Sequence, residues 1–218
     1  MSKIGLVLEG GSLRGLYSAG VLDIMMDNNI DVDVIVGTSA GALFGPNYFS
    51  KQRGRAIRYN KRFCRDRRNI SMWSWLFTGN VVNKNFAYYK ITKKLDVFDN
   101  ETFIKSGKEL YVTATNIESG ECEYFKINDV LSDMEKLRAT SAIPIMTKPV
   151  KINGKYYLDG GVSDSIPIKK CLELGCDKVI VVLTQPKKYK KKIISDKKIK
   201  MINIIFKKYP KLISRMLY

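Results

Sequence analysis

Residues 37–41 read Gly-Thr-Ser-Ala-Gly, which is the G-x-S-x-G pattern of a nucleophilic serine. Ser39 is the central residue, and Gly37 and Gly41 flank it. The usual base for such a serine is a histidine, and the 218 residues contain none. Either Ser39 is not a nucleophile, or another group accepts its proton. On the pentapeptide alone, a catalytic elbow and an ordinary turn of small residues both remain open.

A second glycine-rich segment, residues 9–15, reads Glu-Gly-Gly-Ser-Leu-Arg-Gly. A loop of this kind points successive backbone N–H groups into one concavity, which suits a phosphate or an oxyanion. The glycine spacing fits neither a nucleotide P-loop nor a dinucleotide-binding fingerprint. The segment therefore predicts an oxyanion hole, with a simple tight turn as the alternative.

A third segment, residues 158–162, reads Leu-Asp-Gly-Gly-Val and follows a strand-like run over residues 155–157. Glycines beside Asp159 remove side-chain obstruction, so this carboxylate could approach another loop closely. Taken alone, Asp-Gly-Gly is also a common turn.

The elements around these loops alternate between strands and helices. The apolar pattern predicts a strand at residues 4–8, a helix at 15–26, a strand at 32–36 and a helix from Ala40 onward. This order begins a parallel α/β sheet. Further strands are predicted at 110–115, 123–127 and 178–183, and helices at 129–140 and 168–174. The continuous apolar runs predict strands covered on both faces, as in a three-layer sandwich.

The three glycine-containing motifs, in this order, resemble those of the patatin-like phospholipases. Residues 138–144 (Arg-Ala-Thr-Ser-Ala-Ile-Pro), followed by Lys-Pro-Val at 148–150, are similar to the family's stretch before its aspartate. The resemblance covers residues 4–186. It implies a three-layer α/β/α fold with a mostly parallel central sheet and a Ser-Asp dyad instead of a triad. It implies no cofactor and no metal.

Carried over to this chain, the resemblance makes Ser39 the nucleophile and Asp159 the base. Oxyanion-hole N–H groups then come from Gly10, Gly11 and Ser12, and the supporting residues are Arg14, Gly37, Gly41 and Gly160. The chain departs from the family at Ser12, where a third glycine is common, and a positive φ there would be costly for serine.

The expected activity is hydrolysis of fatty-acyl ester bonds in phospholipids through an acyl-enzyme. Asp159 could accept the Ser39 proton directly within hydrogen-bond reach, and a desolvated cleft would raise the pKa of the carboxyl group and make it a better base. Two alternatives remain open. One is a catalytically idle domain that binds anionic membranes or nucleic acid, and the other is an esterase or thioesterase for soluble substrates.

The positive charge lies in two segments, since residues 51–94 hold thirteen basic residues and one acidic residue, and residues 187–218 hold twelve and one. On a single helix, Lys51, Arg55, Arg58, Arg62 and Arg65 would form one basic stripe. The candidate membrane surface comprises Arg55, Arg58, Arg62, Arg65, Trp73 and Trp75, because cations and indoles suit anionic headgroups. The alternative is that the tryptophans are core or lid residues and the charges a solvated face, and nucleic acid is the least favoured partner.

The lysine-rich composition after Pro186 predicts a catalytic domain over residues 1–186 and a basic amphipathic segment over 187–218. That segment places Ile199, Ile202, Ile205, Phe206 and Tyr209 on one face. No apolar run reaches 18 residues, and the N-terminal one is too short for a signal peptide. We expect a cytoplasmic protein that contacts the inner membrane face if the basic surface binds lipid. The four cysteines are expected to be reduced.

Overall fold

A seven-stranded mixed sheet forms the centre of the computed structural model, which describes residues 2–186, 188–190 and 194–217. Helices cover both faces of the sheet, so the predicted three-layer α/β/α class is confirmed. The strands are β1 Ile4–Leu8, β2 Val34–Gly37, β3 Glu109–Asn116, β4 Cys122–Ile127, β5 Val150–Ile152, β6 Lys155–Asp159 and β7 Lys178–Val182.

The described α-helices are α1 Leu16–Asp27, α2 Ala40–Phe49, α3 Arg55–Phe63, α4 Met72–Thr78, α5 Asn100–Lys105, α6 Met134–Thr140, α7 Ile168–Glu173, α8 Asp196–Ile205 and α9 Pro210–Leu217. A π-helix spans Asn85–Leu95, and short 3₁₀ turns span Ser12–Gly15 and Gly160–Val162. The predicted helix over 129–140 is half as long as expected, because residues 129–133 form turns held by the carboxylates of Asp129 and Asp133.

The order of the strands places two of the predicted loops side by side. Strands β7, β1, β2 and β3 are parallel, and β2 pairs with β3 only as far as Gly37 opposite Val112. Beyond that point β6 takes over the same edge of β3, antiparallel, with Asp159 opposite Ala114. The end of β6 therefore faces the loop that leaves β2.

The alternation of side chains along β1 and β2 separates two apolar layers. Leu6, Leu8 and Ile35 pack with α1 and α2, whereas Val7 and Val36 pack on the α7 side. The prediction that helices cover both faces of every strand is wrong for β7, where Ile180 is 37% exposed. This strand lies at the edge of the sheet and pairs only with β1.

The C-terminal helices use part of the predicted amphipathic face for packing. Ile202, Phe206 and Leu212 are buried in a cluster with Ile117 and Tyr157. Lys187, which opens the predicted C-terminal segment, lies outside the described residues, and the division of the chain at residue 186 stays a prediction. All four cysteines are free thiols, as expected.

Candidate active site

Ser39 lies on a sharp turn between the end of β2 and the start of α2. Its backbone has φ 52° and ψ −119°, a conformation that a non-glycine residue adopts only when the surrounding structure imposes it. Two hydrogen bonds hold the turn, from Thr38 N–H to Leu8 O at 3.1 Å and from Ser39 N–H to Thr140 Oγ1 at 2.9 Å. A Cβ on Gly41 would lie 2.5 Å from Leu8 O, so the turn can pack this closely only with glycine there.

The hydroxyl of Ser39 donates a hydrogen bond to the carboxylate of Asp159. The distance from Ser39 Oγ to Asp159 Oδ2 is 2.7 Å, although the two residues are 120 positions apart in the chain. Gly161 N–H donates to Asp159 Oδ1 at 2.8 Å, and Thr115 Oγ1 donates to the Asp159 carbonyl at 2.8 Å. The structure therefore brings together the two residues predicted as a dyad, with the acid oriented by its own glycine turn.

Burial changes the acidity of this carboxyl group. Ser39 and Asp159 are each only 7% exposed. Desolvation raises the pKa of Asp159 to about 6, although the hydrogen bonds from Ser39 and Gly161 act in the opposite direction. Within the described part of the chain no cation forms an ion pair with this carboxylate. Asp159 is thus ionised at neutral pH and more basic than a carboxylate in water.

The glycine loop over residues 9–12 lies beside this pair, and a Cβ on Gly10 would lie 3.3 Å from Ser39 Cβ. Gly10 N–H donates to Ser165 O at 3.3 Å, so it is engaged outside the pair, and its role as an oxyanion donor stays a prediction. For the N–H groups of Gly11 and Ser12, no acceptor is recorded among the described residues. Ser12 has φ 50°, so the serine does adopt the costly left-handed conformation expected from the missing glycine.

Sequence reasoning missed three contributions to the surroundings of Ser39, from Ala40, Glu9 and Thr184. Ala40 N–H has no recorded acceptor among the described residues, and the residue after the nucleophile is the usual second oxyanion donor in such elbows. The Glu9 carboxylate binds the backbone and hydroxyl of Thr184, whose hydroxyl also donates to Gly10 O at 2.9 Å. Of these three contributions, only that of Ala40 could have been predicted from the sequence, because Ala40 follows the serine of the G-x-S-x-G motif.

The predicted supporting residues divide into two kinds. A Cβ on Gly37 would lie 2.7 Å from the backbone of Ala42, and one on Gly160 would overlap Thr113 Oγ1, so both glycines are required by close packing. The side chain of Arg14 is exposed, and its backbone N–H donates to Gly11 O at 2.9 Å. Arg14 therefore supports the loop through its backbone.

An apolar cavity of about 260 Å³ opens beside Ser39 and follows α2 into the molecule. Leu43, Tyr88, Leu137 and Ile143 are among its lining residues. Tyr88 Oη lies 2.8 Å from Ser141 Oγ, and burial raises the pKa of Tyr88. Asn47, about two turns along α2 from Ser39, also lines the cavity, together with Arg55 and Phe98. A cavity with a mostly apolar lining and a few polar side chains is the usual form of a small-molecule site.

The predicted membrane residues do not form one stripe. Arg55 is only 4% exposed and is hydrogen-bonded to Asn47 and to the backbone of Asp96, which corrects its prediction as a surface residue. Arg58 is held by both carboxylate oxygens of Asp96 at 2.8 Å. The side chains of Arg62 and Arg65 are exposed. The periodicity failed because α3 begins only at Arg55, after a turn in which Lys51 has φ 53°.

Both predicted tryptophans reach the surface, with Trp73 69% exposed and Trp75 39% exposed. None of the helices described here is both long enough and apolar enough to cross a bilayer. In residues 2–186, 188–190 and 194–217, no three Cys, Asp or Glu side chains gather as metal ligands.

Comparison with known proteins agrees with the resemblance drawn from the motifs. A family model described as patatin-like phospholipase matches residues 6–172. The uncharacterized protein YjjU of Escherichia coli is 31% identical over 188 residues, which cover 84% of this chain and 52% of YjjU. A protein named probable lipid hydrolase 463L, from Invertebrate iridescent virus 6, is 28% identical over 92% of this chain and 76% of its own length.

Lysophospholipase NTE1 of Candida glabrata is 28% identical over 82% of this chain and 10% of its own length. The chain thus spans about half the length of YjjU and about a tenth of NTE1.

The raised pKa of Asp159 gives a stability prediction that does not depend on activity. Because the pKa in the folded state exceeds the unfolded value, the buried carboxylate destabilises the folded protein above pH 6, by about 2 to 3 kcal/mol, and this cost disappears as the pH falls toward 4. Asp159→Asn should therefore raise the free energy of unfolding at pH 8 and change it little at pH 4, as measured by urea denaturation.

A matched control is Asp99→Asn. Asp99 is exposed and accepts the N–H of Thr102 at the start of α5, which lowers the pKa of this carboxyl group. No gain at pH 8 is expected there. A gain of equal size at both pH values for Asp159→Asn would contradict the assigned origin of the pKa shift.

Proposed function

Because the chain belongs to the patatin-like phospholipase family, we propose that it is a lipid acyl hydrolase that cleaves fatty-acyl ester bonds of phospholipids with Ser39 and Asp159. The observation that carries this proposal is the 2.7 Å hydrogen bond from Ser39 Oγ to Asp159 Oδ2, located where an apolar cavity meets the strained turn. The curated relatives named as lipid hydrolase and lysophospholipase support the same substrate class.

In the proposed reaction, Ser39 Oγ attacks the carbonyl carbon of the ester and its proton passes to Asp159 Oδ2. The oxyanion accepts hydrogen bonds from the N–H groups of Gly11, Ser12 and Ala40. Collapse of the tetrahedral intermediate releases the alcohol, which takes the proton from Asp159, and leaves the acyl group on Ser39. Water then attacks the acyl-enzyme, Asp159 accepts a proton from this water, and the fatty acid leaves as Ser39 recovers its proton.

The test of this proposal is mass spectrometry of the products formed from mixed phospholipids. Ser39→Ala and Asp159→Asn should each lower the turnover by roughly 1,000-fold or more, because the two residues act as one unit. Ser106→Ala and Asp99→Asn, which change the same residue types outside the site, should keep wild-type turnover. Full activity of either dyad variant would overturn the proposed mechanism.

The same dyad predicts how the rate depends on pH. Since Asp159 must be ionised to accept a proton, kcat/KM should rise with pH through about 6 and then stay level. Because the chain contains no histidine, a rise in rate near this pH cannot come from the titration of an imidazole. A rate profile on a monomeric ester at constant ionic strength checks this. A rise of kcat/KM near pH 4 instead would contradict the raised pKa, because it would mean that Asp159 is solvated during catalysis.

We further propose that α4 attaches the enzyme to anionic membranes through an apolar surface made of Met72, Trp73, Leu76 and Phe77. Each of these side chains is at least 66% exposed, and the rings of Trp73 and Phe77 are stacked with their centres 6.0 Å apart. Exposed apolar clusters of this kind mark interaction surfaces, and aromatic rings suit the headgroup level of a bilayer.

The position of α4 connects this surface to the cavity. Ile70 and Val82, on either side of α4, pair as an antiparallel bridge and line the cavity. Trp75 Nε1 donates to Ile145 O at 3.2 Å, which anchors α4 on the segment after Ile143. A phospholipid that rises from the bilayer at α4 would thus reach the cavity directly. The excess of basic residues over 51–94 favours anionic rather than neutral lipid.

Vesicle sedimentation tests this surface. The double variant Trp73→Ala/Phe77→Ala should bind vesicles of mixed phosphatidylcholine and phosphatidylglycerol roughly tenfold or more weakly than wild type, since each ring loses its apolar burial. Leu172→Ala removes an exposed leucine from α7, on the opposite side of the sheet, and should bind like wild type.

High salt should weaken wild-type binding, and pure phosphatidylcholine vesicles should bind less. Wild-type binding by the double variant would contradict this role for α4, and displacement of the vesicles by duplex DNA would favour a nucleic-acid partner.

A further inference from the structure

We propose that the cavity selects acyl chains whose far end carries a carboxylate, and that Arg55 binds this carboxylate at the inner end of the cavity. The inference rests on the proposed function, because it takes Ser39 as the point where the acyl group is attached. It concerns the chemistry of the chain that occupies the cavity, which the dyad does not determine.

The geometry sets Arg55 at the opposite end of the cavity from Ser39. Ala40, Leu43 and Asn47 all line the cavity and follow one face of α2, at the spacing of helical neighbours. From Ser39 to Asn47 the helix advances by about 12 Å. Asn47 Oδ1 accepts a hydrogen bond from Arg55 Nη1 at 2.9 Å, so the guanidinium group lies at that distance along the cavity.

The charges around Arg55 do not balance. The single carboxylate of Asp96 is bound with both oxygens to Arg58, at 2.8 Å each, and lies 3.4 Å from Arg55 Nε. Two guanidinium groups thus share one carboxylate. The other recorded partners of Arg55 are neutral, namely the Asp96 carbonyl and the Asn47 amide.

Arg55 also keeps donors that have no recorded acceptor. A guanidinium group has five N–H donors, and three hydrogen bonds are recorded for Arg55 in the part of the chain that the structure describes. The rings of Tyr59 and Phe98 lie 5.3 Å from the guanidinium carbon, where their faces attract the cation but accept none of these N–H groups as a carboxylate would. Burial lowers the pKa of Arg55, so the cation is incompletely compensated where it lies.

These features distinguish between two kinds of acyl chain. A chain that ends in a methyl group would bury this methyl against a cation and would leave the remaining N–H donors unpaired. A chain that ends in a carboxylate would supply the missing negative charge and accept charge-assisted hydrogen bonds. The lining also contains the apolar side chains of Leu43, Phe44 and Met134, which suit the methylene chain in both cases.

The experiment compares two p-nitrophenyl esters of equal chain length, the octanoate and the monoester of suberic acid, which differ only in the terminal carboxylate. For wild type, kcat/KM should favour the suberate monoester by roughly tenfold or more, as expected for hydrogen bonds to a charged group. Arg55→Met should reverse this preference. The matched control Arg62→Met, on the exposed side of α3, should keep the wild-type ratio.

A second variant guards against misfolding of Arg55→Met. Asn47→Asp replaces the NH2 group, which donates to Phe44 O at 3.0 Å, by a carboxylate oxygen. It gives Arg55 a carboxylate from the protein, so the preference for the suberate monoester should disappear. Equal rates for both esters in wild type would overturn the inference, and so would a preference that survives in Asn47→Asp and in folded Arg55→Met.

Failure of the proposed function is distinguishable from failure of this inference. If wild type hydrolyses neither ester, the proposed function fails, and the cavity is then tested by calorimetry on Ser39→Ala with methyl octanoate and monomethyl suberate as ligands, of which only the second has a free carboxylate. Tighter binding of monomethyl suberate would still support the role of Arg55, and equal or weaker binding would exclude it.

Discussion

A buried carboxylate that pairs with no cation among the described residues is the constraint on which this site depends. Asp159 accepts the hydroxyl of Ser39 and the N–H of Gly161, and both contacts require loops from distant parts of the chain to meet. They meet because β2 ends early along β3 and β6 continues on the same edge. The positive φ of Ser39 and the missing side chain of Gly160 follow from that close approach.

Burial of Asp159 both lowers the stability of the folded protein at neutral pH and raises the basicity of the carboxylate. Desolvation makes Asp159 a stronger base and also makes its ionised form unfavourable in the folded protein. The rest of the structure must therefore supply stability, which it does through the apolar layers on both faces of β1 and β2. A solvent-exposed carboxylate would remove the cost but would be a poorer partner for a serine hydroxyl. In the proposed mechanism, burial of the acid takes the place of a histidine base.

Local signals in the sequence were sufficient for the strands and loops that carry Ser39 and the glycine loop, since apolar runs that end at glycines define both. The pairing of Ser39 with Asp159 was predicted from the family resemblance. The spacing of residues in the sequence does not reveal that β2 and β6 pair with successive parts of the same edge of β3. Arg55 was misplaced for the same reason: helical periodicity describes one element, and its partners Asn47 and Asp96 lie elsewhere in the chain. The engaged N–H of Gly10 likewise depends on Ser165, far away in sequence.

The basic segment over residues 51–94 therefore has more than one physical role. Its first helix turns a charge inward at Arg55, where the charge is shielded from water, while α4 turns apolar rings outward, where they are not covered. Charged side chains are usually exposed and apolar ones buried, and both exceptions lie around the same cavity. Ile70 and Val82, which pair on either side of α4, line this cavity as Arg55 does. The proposed membrane attachment gives a reason for the exposed rings of α4, and the proposed terminal carboxylate gives one for the buried cation. Both proposals describe one amphiphilic substrate drawn from a lipid surface.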